Sequence, residues 1–313
     1  MHPAISVICF TVLSGAGFGL IALTTALAFM PGLIALSNGE VLFAGVLGTV
    51  LATLGLLAST LHLANPRNAW RAFSRFRTSW LSREAVFAVL FYPCAGLWLG
   101  AVAFDLSAVL IDLGAALSLV LSLLTVFSTG MIYASLRAIP RWNSPLVPLN
   151  YLLLGLASGA LLLTTILTVT RAGAMGSDVL MLTLVLLVLA GLGKALYFLW
   201  MGTPQGPSIN TALGMTRGQA RLLESGQGGR SNFLDTEFRF QIDGKTLRRL
   251  RWLFGLLGVA LPVVAVALLS AGDGFFLIFL ILPVTLFGYG VERWLFFAEA
   301  QHVVNLFYGA QRV

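Results

Sequence analysis

Eight long apolar runs divide this chain, and they constrain its fold more than any other feature. They lie at residues 4–30, 41–62, 84–104, 107–134, 147–170, 178–201, 251–271 and 275–297. As a helix rising 1.5 Å per residue, each run is long enough to cross about 30 Å of hydrocarbon. Only 10% of the residues are charged, against about 25% in a soluble domain. The sequence therefore predicts an integral membrane protein.

The character of the runs decides which kind of membrane fold they form. A spanning segment must pair all of its backbone amides, which leaves helices and closed barrels. Barrel strands alternate apolar and polar residues, whereas these runs are continuously apolar. We predict a single all-α membrane domain over residues 1–313, with eight transmembrane helices and a long polar, partly flexible loop at 202–250. Little more than Asp105 separates the third run from the fourth, and the GxxxG of Gly15 and Gly19 predicts close helix contact.

The basic residues are distributed unequally between the two ends of such a bundle. With eight spans both termini lie on one side, and sixteen Lys and Arg residues fall on that side against Arg171 alone on the other. This bias predicts cytoplasmic termini in a multi-pass protein of the cell inner membrane. The arginines lie in loops between spans, so we do not interpret the pI of about 10.0 as a sign of nucleic-acid binding.

Residues 62–84, HLANPRNAWRAFSRFRTSWLSRE, connect the second and third runs and hold five of the arginines. If residues 67–80 form a helix turning 100° per residue, four aromatic side chains share one face and three arginines share the opposite face. The aromatic residues are Trp70, Phe73, Phe76 and Trp80, and the arginines are Arg67, Arg71 and Arg75. This pattern predicts an amphipathic helix that lies in the membrane interface.

His62 ends the second run and Glu84 opens the third, so we expect the two side chains to meet at the membrane boundary. An imidazole beside a carboxyl group can accept protons from a bound hydroxyl, and Arg71 or Arg75 can hold Glu84 ionised through an ion pair. Structural alternatives stay open. Ser82 can cap the third helix with Glu84 in its first turn, and His62 can bond a neighbouring backbone group.

The same stretch resembles the membrane-anchor subunits of the dimethyl sulfoxide reductase family. These proteins have a His-Leu-Gly-x-Pro motif and then Ser-x-Leu-Ser-x-Glu, with the His and Glu separated as they are here. This chain has HLANP at 62–66 and SWLSRE at 79–84, with Ala64 in place of the glycine. IYASLRAIPRWNSP at 132–145 and VERWLFFAEAQHVVNLFYG at 291–309 are also similar to the family, and the resemblance covers the whole chain.

The resemblance implies an anchor that oxidises a membrane quinol, menaquinol or ubiquinol, in anaerobic-type respiration. The electrons would pass to a multi-cluster, ferredoxin-like iron–sulfur subunit and from there to a molybdopterin catalytic subunit. His62 and Glu84 match the quinol-site residues of the family. The weaker, supporting candidates in this sequence are Pro66, Arg71, Arg75 and Ser82.

We predict no metal, haem or iron–sulfur cluster in this chain itself. It has no CxxCH sequence, and its two cysteines, Cys9 and Cys94, lie far apart in separate runs, which gives no spacing typical of a metal site. A membrane haem needs facing histidines, and among His2, His62 and His302 the pair left open is His62 with His302.

Four further ionisable residues lie within apolar runs, where an unpaired charge is costly. Lys194 can pair with Asp112 or extend to the membrane surface, and Glu292 can form a structural ion pair with Arg293. Two other functions stay open at this point. Buried charges also line the substrate path of a transporter, and an anchor can be a structural tether without quinone chemistry.

Overall fold

The computed structural model describes residues 3–61, 65–171, 176–201, 206–223, 240, 242–270, 276–308 and 310–311. Within these ranges the regular structure is helical. Eight helices are long and apolar enough to span a membrane. They are α1 Ile5–Ala28, α2 Asn38–Thr60, α3 Trp80–Ala103, α4 Ala108–Ala134, α5 Leu146–Thr170, α6 Ser177–Trp200, α7 Gly244–Ser270 and α8 Leu277–Ala298. The predicted fold class is confirmed, and the protein is a multi-pass membrane protein.

The eight helices alternate in direction, so the start of α1 and the end of α8 lie at one end of the bundle. We call this end the terminal face and the opposite end the far face. The helices follow the predicted runs except at α3, which begins at Trp80 rather than at residue 84, and at α7, which begins at Gly244 rather than at residue 251. Its first turns carry Lys245, Arg248 and Arg249, because a helix continues beyond the segment that is apolar enough to enter lipid. Between α6 and α7 a one-turn helix occupies Ile209–Ala212, while residues 224–239 of the predicted flexible loop lie outside the described ranges.

The first helix, α1, occupies the centre of the first half of the bundle and packs on α2, α4 and α5. Its contact with α5 depends on glycines from both helices. A Cβ atom on Gly19 would overlap the carbonyl oxygen of Gly155, and one on Gly159 would overlap the backbone of Gly19. The close helix contact predicted from Gly15 and Gly19 is therefore confirmed.

Asp105 marks the turn between α3 and α4, as the sequence indicated. Its φ of 50° places it in the left-handed region, which Asp tolerates better than most residues. The amide of Leu106 donates to the carbonyl of Ala101 over 2.9 Å, which closes the end of α3 in the manner of a Schellman motif. The chain therefore reverses within four residues at the far face.

A second contact at the far face joins the start of α2 to the end of α5. Arg171 donates to both carboxylate oxygens of Glu40, over 2.7 and 2.9 Å, and to the carbonyl of Ala35 over 2.7 Å. The hydrogen bonds to Glu40 raise the pKa of the Arg171 guanidinium. The single basic residue assigned to this side therefore has a structural partner within the chain.

The connection between α2 and α3 is helical but differs from the prediction in type and extent. Residues Pro66–Arg75 form a 3-10 helix, and Trp80 is already the first residue of α3. Side chains three residues apart eclipse in a 3-10 helix, so Trp70, Phe73 and Phe76 form a single row, and all three are exposed. Arg83 fixes the end of the segment by donating to the carbonyls of residues 76 and 77. That this 3-10 segment lies in the membrane interface stays a prediction.

Candidate functional site

Glu84 lies inside the bundle near the terminal face, although it is only the fifth residue of α3. The helix begins at Trp80 because the hydroxyl of Ser79 caps it by accepting the amide of Ser82 over 3.4 Å. The structural alternative in which Ser82 is the N-cap, with Glu84 in the first turn, was therefore wrong. Glu84 is 6% exposed, so its position reflects packing against other helices rather than capping of its own.

The Glu84 carboxyl group meets α4 at Thr129. The Thr129 hydroxyl donates to Oε1 of Glu84 and also lies 3.0 Å from the carbonyl of Thr125. An ionised Glu84 accepts a hydrogen bond from the Thr129 hydroxyl. A protonated Glu84 can instead donate to the hydroxyl oxygen, while Thr129 donates to Thr125. The pair therefore keeps a hydrogen bond in both protonation states, as a group that accepts and releases protons requires.

The arginines expected to hold Glu84 do not reach it. Arg71 and Arg75 are exposed on the 3-10 segment, and within the described residues neither forms an ion pair with Glu84. The guanidinium of Arg71 lies 5.8 Å from the Trp70 ring centroid instead. The predicted ion pair was wrong because the 3-10 segment projects its basic side chains away from the buried carboxyl group.

The other predicted site residues can be placed to different extents. Ser82 is 1% exposed, and its hydroxyl has no hydrogen-bond partner in the described part of the protein. Pro66 is the first residue of the 3-10 helix. His62 lies outside the described residues, so its meeting with Glu84 stays a prediction. The described residues before His62 end at Leu61, which directly follows α2.

An apolar groove lies between α4 and α5 near the terminal face. Its volume is about 550 Å³, and the lining includes Phe127, Met131, Pro148 and Leu152. The Phe127 ring lies 5.8 Å from that of Trp80, which is one helical turn before Glu84. The groove volume is within the usual range of ligand sites. The contact between Phe127 and Trp80 links the groove to the turn of α3 that holds Glu84.

A second buried polar site joins α6 and α8. Glu292 of α8 is paired on one side with Lys194 of α6 and on the other with Arg293, and the three side chains are no more than 4% exposed. We call these residues the charged cluster. The predicted Glu292–Arg293 ion pair is confirmed.

The two predictions for Lys194 were wrong. Lys194 neither pairs with Asp112 nor extends to the surface, because Glu292 holds its amino group in the interior. Asp112 lies in the first turns of α4 at the far face and is exposed, whereas Lys194 lies near the end of α6 at the terminal face. Alternating helix directions separate the two residues.

Aromatic side chains extend from the charged cluster towards Glu84. The guanidinium of Arg293 lies 4.0 Å from the ring centroid of Tyr151. Tyr151 stacks on Tyr133 of α4, with 5.8 Å between centroids, and Tyr133 is one turn after Thr129. Thr129, Tyr133 and Tyr151 were not predicted from the sequence. For Thr129 and Tyr133 a signal was available, because polar side chains recur every four residues near the end of α4.

The two family-like stretches near residues 140 and 295 come together above this site. The Trp142 ring nitrogen donates to the carbonyl of Phe296 over 3.0 Å, and the two rings stack. Arg141 pairs with Glu299 over 3.0 Å, and Arg251 pairs with the same carboxylate over 2.8 Å. These contacts fix the connection between α4 and α5 to the first turns of α7 and the end of α8 at the terminal face.

His302 is the one histidine within the described residues. Its Nδ1 accepts the amide of Val304 over 3.0 Å, and partial burial lowers its pKa. In the described part of the chain, no three His, Cys, Asp or Glu side chains are grouped as metal ligands. That the chain holds no haem, iron–sulfur cluster or metal stays a prediction.

Comparison with known proteins gives a consistent family. The family model described as DMSO reductase anchor subunit (DmsC) matches residues 1–310. The C subunit of sulfite dehydrogenase from Allochromatium vinosum is 33% identical over 98% of this chain and 99% of its own length. The C chain of anaerobic dimethyl sulfoxide reductase from Escherichia coli is 32% identical over 36% of this chain and 40% of its own length.

Proposed function

Because the chain belongs to the family of DMSO reductase anchor subunits, we propose that it oxidises a membrane quinol and passes the electrons to an iron–sulfur partner. The quinol is menaquinol or ubiquinol, and the partner is a multi-cluster, ferredoxin-like subunit. That subunit supplies a molybdopterin catalytic subunit, where the terminal substrate reacts. Family membership and the pairing of the buried charges with one another both favour this function over transport.

The observation that carries the proposal is the buried Glu84–Thr129 pair. Oxidation of one quinol releases two protons and two electrons. Glu84 takes one proton and His62 takes the other, while both electrons leave for the iron–sulfur partner. Proton acceptors placed at the reacting hydroxyl groups typically accelerate such steps by about 10²–10⁴-fold. The Thr129 hydroxyl suits this role because it stabilises Glu84 before and after protonation.

Two other features support a site for an apolar ring with polar groups at one end. The groove lined by Phe127 offers apolar walls, and the Phe127 ring contacts Trp80, one turn before Glu84 on α3. The Ser82 hydroxyl, buried two residues before Glu84 and without a partner in the described ranges, is available to a ligand oxygen. We infer that the quinol head group lies between Glu84 and His62, with Ser82 as a supporting contact.

One comparison favours a second direction of electron flow. The relative that matches along its full length is named a sulfite dehydrogenase subunit, and a dehydrogenase complex would deliver electrons to quinone. The same residues then act in reverse, with a protonated Glu84 donating to the reduced quinone. Assaying purified complexes in both directions, with quinol and with quinone, decides between the two.

We also propose that the terminal face is cytoplasmic and that the iron–sulfur partner docks there. Sixteen basic residues are assigned to this side, and Glu84 lies at the same end of the bundle. A short distance from the quinol to the first cluster of the partner is expected, since we predict no redox centre in the anchor itself.

The decisive experiment compares quinol-driven with dye-driven reduction in the intact complex. Glu84→Gln and His62→Ala should each abolish quinol-driven turnover, while an artificial dye that reaches the soluble subunits directly supports normal activity. Asp112→Asn serves as the matched control, because it neutralises a carboxylate of a spanning helix at the far face. Normal quinol turnover in both site variants would leave the chain as a structural tether.

A further inference from the structure

A small cavity beside the charged cluster is lined by residues of α1, α5 and α8. Its volume is about 20 Å³, and its lining includes Thr11, Tyr151, Ser158, Tyr289 and Arg293. A cavity needs roughly 10–15 Å³ of such space to hold a water molecule. The size therefore suits about one water.

Three polar groups at the cavity are buried and have no partner in the described part of the protein. They are the hydroxyls of Tyr151 and Tyr289 and one terminal nitrogen of Arg293. Each of the three side chains is at least nine-tenths buried. Buried polar groups are nearly always hydrogen-bonded to protein or to ordered water, so these groups indicate a bound molecule in the cavity.

The polar groups that line the cavity fit a water molecule better than an anion. Arg293 and the two tyrosines offer hydrogens, but Thr11 donates its own hydrogen to the carbonyl of Val7 and Ser158 donates to that of Leu154. The hydroxyl oxygens of Thr11 and Ser158 therefore present lone pairs. Water donates as well as accepts, whereas an anion accepts only.

The charges of the cluster identify which member can carry a proton. Arg293 and Glu292 cancel each other, and an arginine side chain does not release its proton in a protein. Lys194 is the third member, and its amine can gain or lose a proton while Glu292 remains paired with Arg293. Its nitrogen lies 4.1 Å from the ring centroid of Tyr197, and the Tyr197 hydroxyl donates to the carbonyl of Arg141 over 3.0 Å. Arg141 belongs to the ion pair at the terminal face.

On this geometry, and resting on the quinol function proposed above, we propose that Lys194 and the cavity water form a proton route from Glu84 to the terminal face. Glu84 gains a proton when the quinol is oxidised and must lose it before the next turnover. Because Glu84 is buried, that proton leaves through Thr129, the Tyr133–Tyr151 pair and the cavity water. Arg293 at the cavity holds Glu292, and Glu292 holds the Lys194 ammonium group. Lys194 releases its proton towards Arg141 and Glu299 and regains one from the cavity water. No electrons move in these steps.

Lys194→Arg separates this role from a structural one. Arginine keeps the positive charge next to Glu292 but cannot release a proton, so a purely structural role predicts normal turnover. We expect quinol-driven turnover in the intact complex to fall at least about 10-fold, with dye-driven activity and binding of a quinol analogue retained. Normal turnover in this variant would overturn the route.

Tyr289→Phe tests the water without changing the charge, and it decides the question if Lys194→Arg does not assemble. It removes one unpartnered hydroxyl from the cavity, so we expect slower quinol turnover and a larger solvent deuterium isotope effect. Tyr92→Phe is the matched control, because its hydroxyl bonds Thr53 between α2 and α3. An unchanged rate and isotope effect in Tyr289→Phe would reject the water's part in the route.

Glu84→Gln separates a failure of the proton route from a failure of the quinol function. If that variant loses quinol oxidation while Lys194→Arg and Tyr289→Phe behave as wild type, the quinol site stands and the route is wrong. If Glu84→Gln turns over normally, the quinol function itself fails.

Discussion

The carboxyl group of Glu84 on α3 accepts a hydrogen bond from the hydroxyl of Thr129 on α4, and both side chains are buried. The two helices pack along much of their length, which fixes the relative position of the two groups. The proposed proton acceptor is thus oriented by a residue 45 positions later in the sequence, in a part of the chain that carries none of the motif residues.

Removing the Thr129 hydroxyl should impair the reaction without disturbing the bundle. Thr129→Val keeps the shape but leaves Glu84 without this donor, at a cost of about 1.4 kcal/mol, which corresponds to roughly 10-fold in rate. Quinol-driven turnover of the complex measures the effect. Thr125→Val, one turn earlier with its hydroxyl on the carbonyl of Leu121, should behave as wild type. Equal rates in both variants would show that Glu84 does not need Thr129.

The contact between α1 and α5 should not tolerate a methyl group at its centre. In Gly19→Ala the new Cβ overlaps the backbone of Gly155, and such overpacking typically costs about 1–3 kcal/mol. We expect a lower thermal unfolding temperature for the purified protein in detergent. Gly100→Ala places its Cβ in open space on α3 and should be neutral or stabilising, since alanine favours helix. A Gly19→Ala protein as stable as wild type would contradict the described packing.

The stability of the protein should fall more when the Glu40–Arg171 ion pair at the far face loses one partner than when it loses both. Arg171→Gln leaves Glu40 buried without a counter-charge, and breaking a buried pair in this way costs roughly 3–5 kcal/mol, less here because Arg171 is partly exposed. The double variant Glu40→Gln, Arg171→Gln should recover much of the stability. Thermal unfolding of the three proteins forms the test, and a double variant no better than the single one would argue against the pair.

The orientation can be tested independently of activity. A reporter that functions only in the cytoplasm, fused after residue 313, should be active, and one that functions only outside the membrane should be inactive. Moving the second reporter to the turn at Asp105 should restore its activity. The reverse pattern would place the sixteen basic residues outside, against the positive-inside bias.

The spans could be predicted because they depend on local sequence, and apolarity over about 20 residues decides what enters lipid. The motif at residues 62–84 singled out Glu84, but its meeting with His62 stays a prediction. The partners of buried charges could not be predicted in the same way. Alternating directions of the predicted spans already place Asp112 and Lys194 near opposite faces. That Glu292 is the partner of Lys194 depends on which helices pack together in the bundle, and the sequence does not determine that.

The helix type, the N-cap alternative and the ion pair of Arg71 or Arg75 with Glu84 were wrong for a related reason. They assumed an α-helix to residue 80, whereas the 3-10 helix ends at Arg75 and α3 begins five residues later. The cap moved from Ser82 to Ser79, and Arg71 and Arg75 turned away from Glu84. Hydrophobic pattern identifies an amphipathic segment well, but it does not determine helix type or end points.

The glycine contact at the centre of the bundle also has a consequence for biosynthesis. Gly19 leaves the ribosome 136 positions before Gly155, and at 5–20 residues per second the wait between them is about 7–27 s. During that time the grooved side of α1 faces lipid or the insertion machinery, with its final neighbour not yet made. Native assembly around α1 is therefore delayed until about half of the chain has been translated.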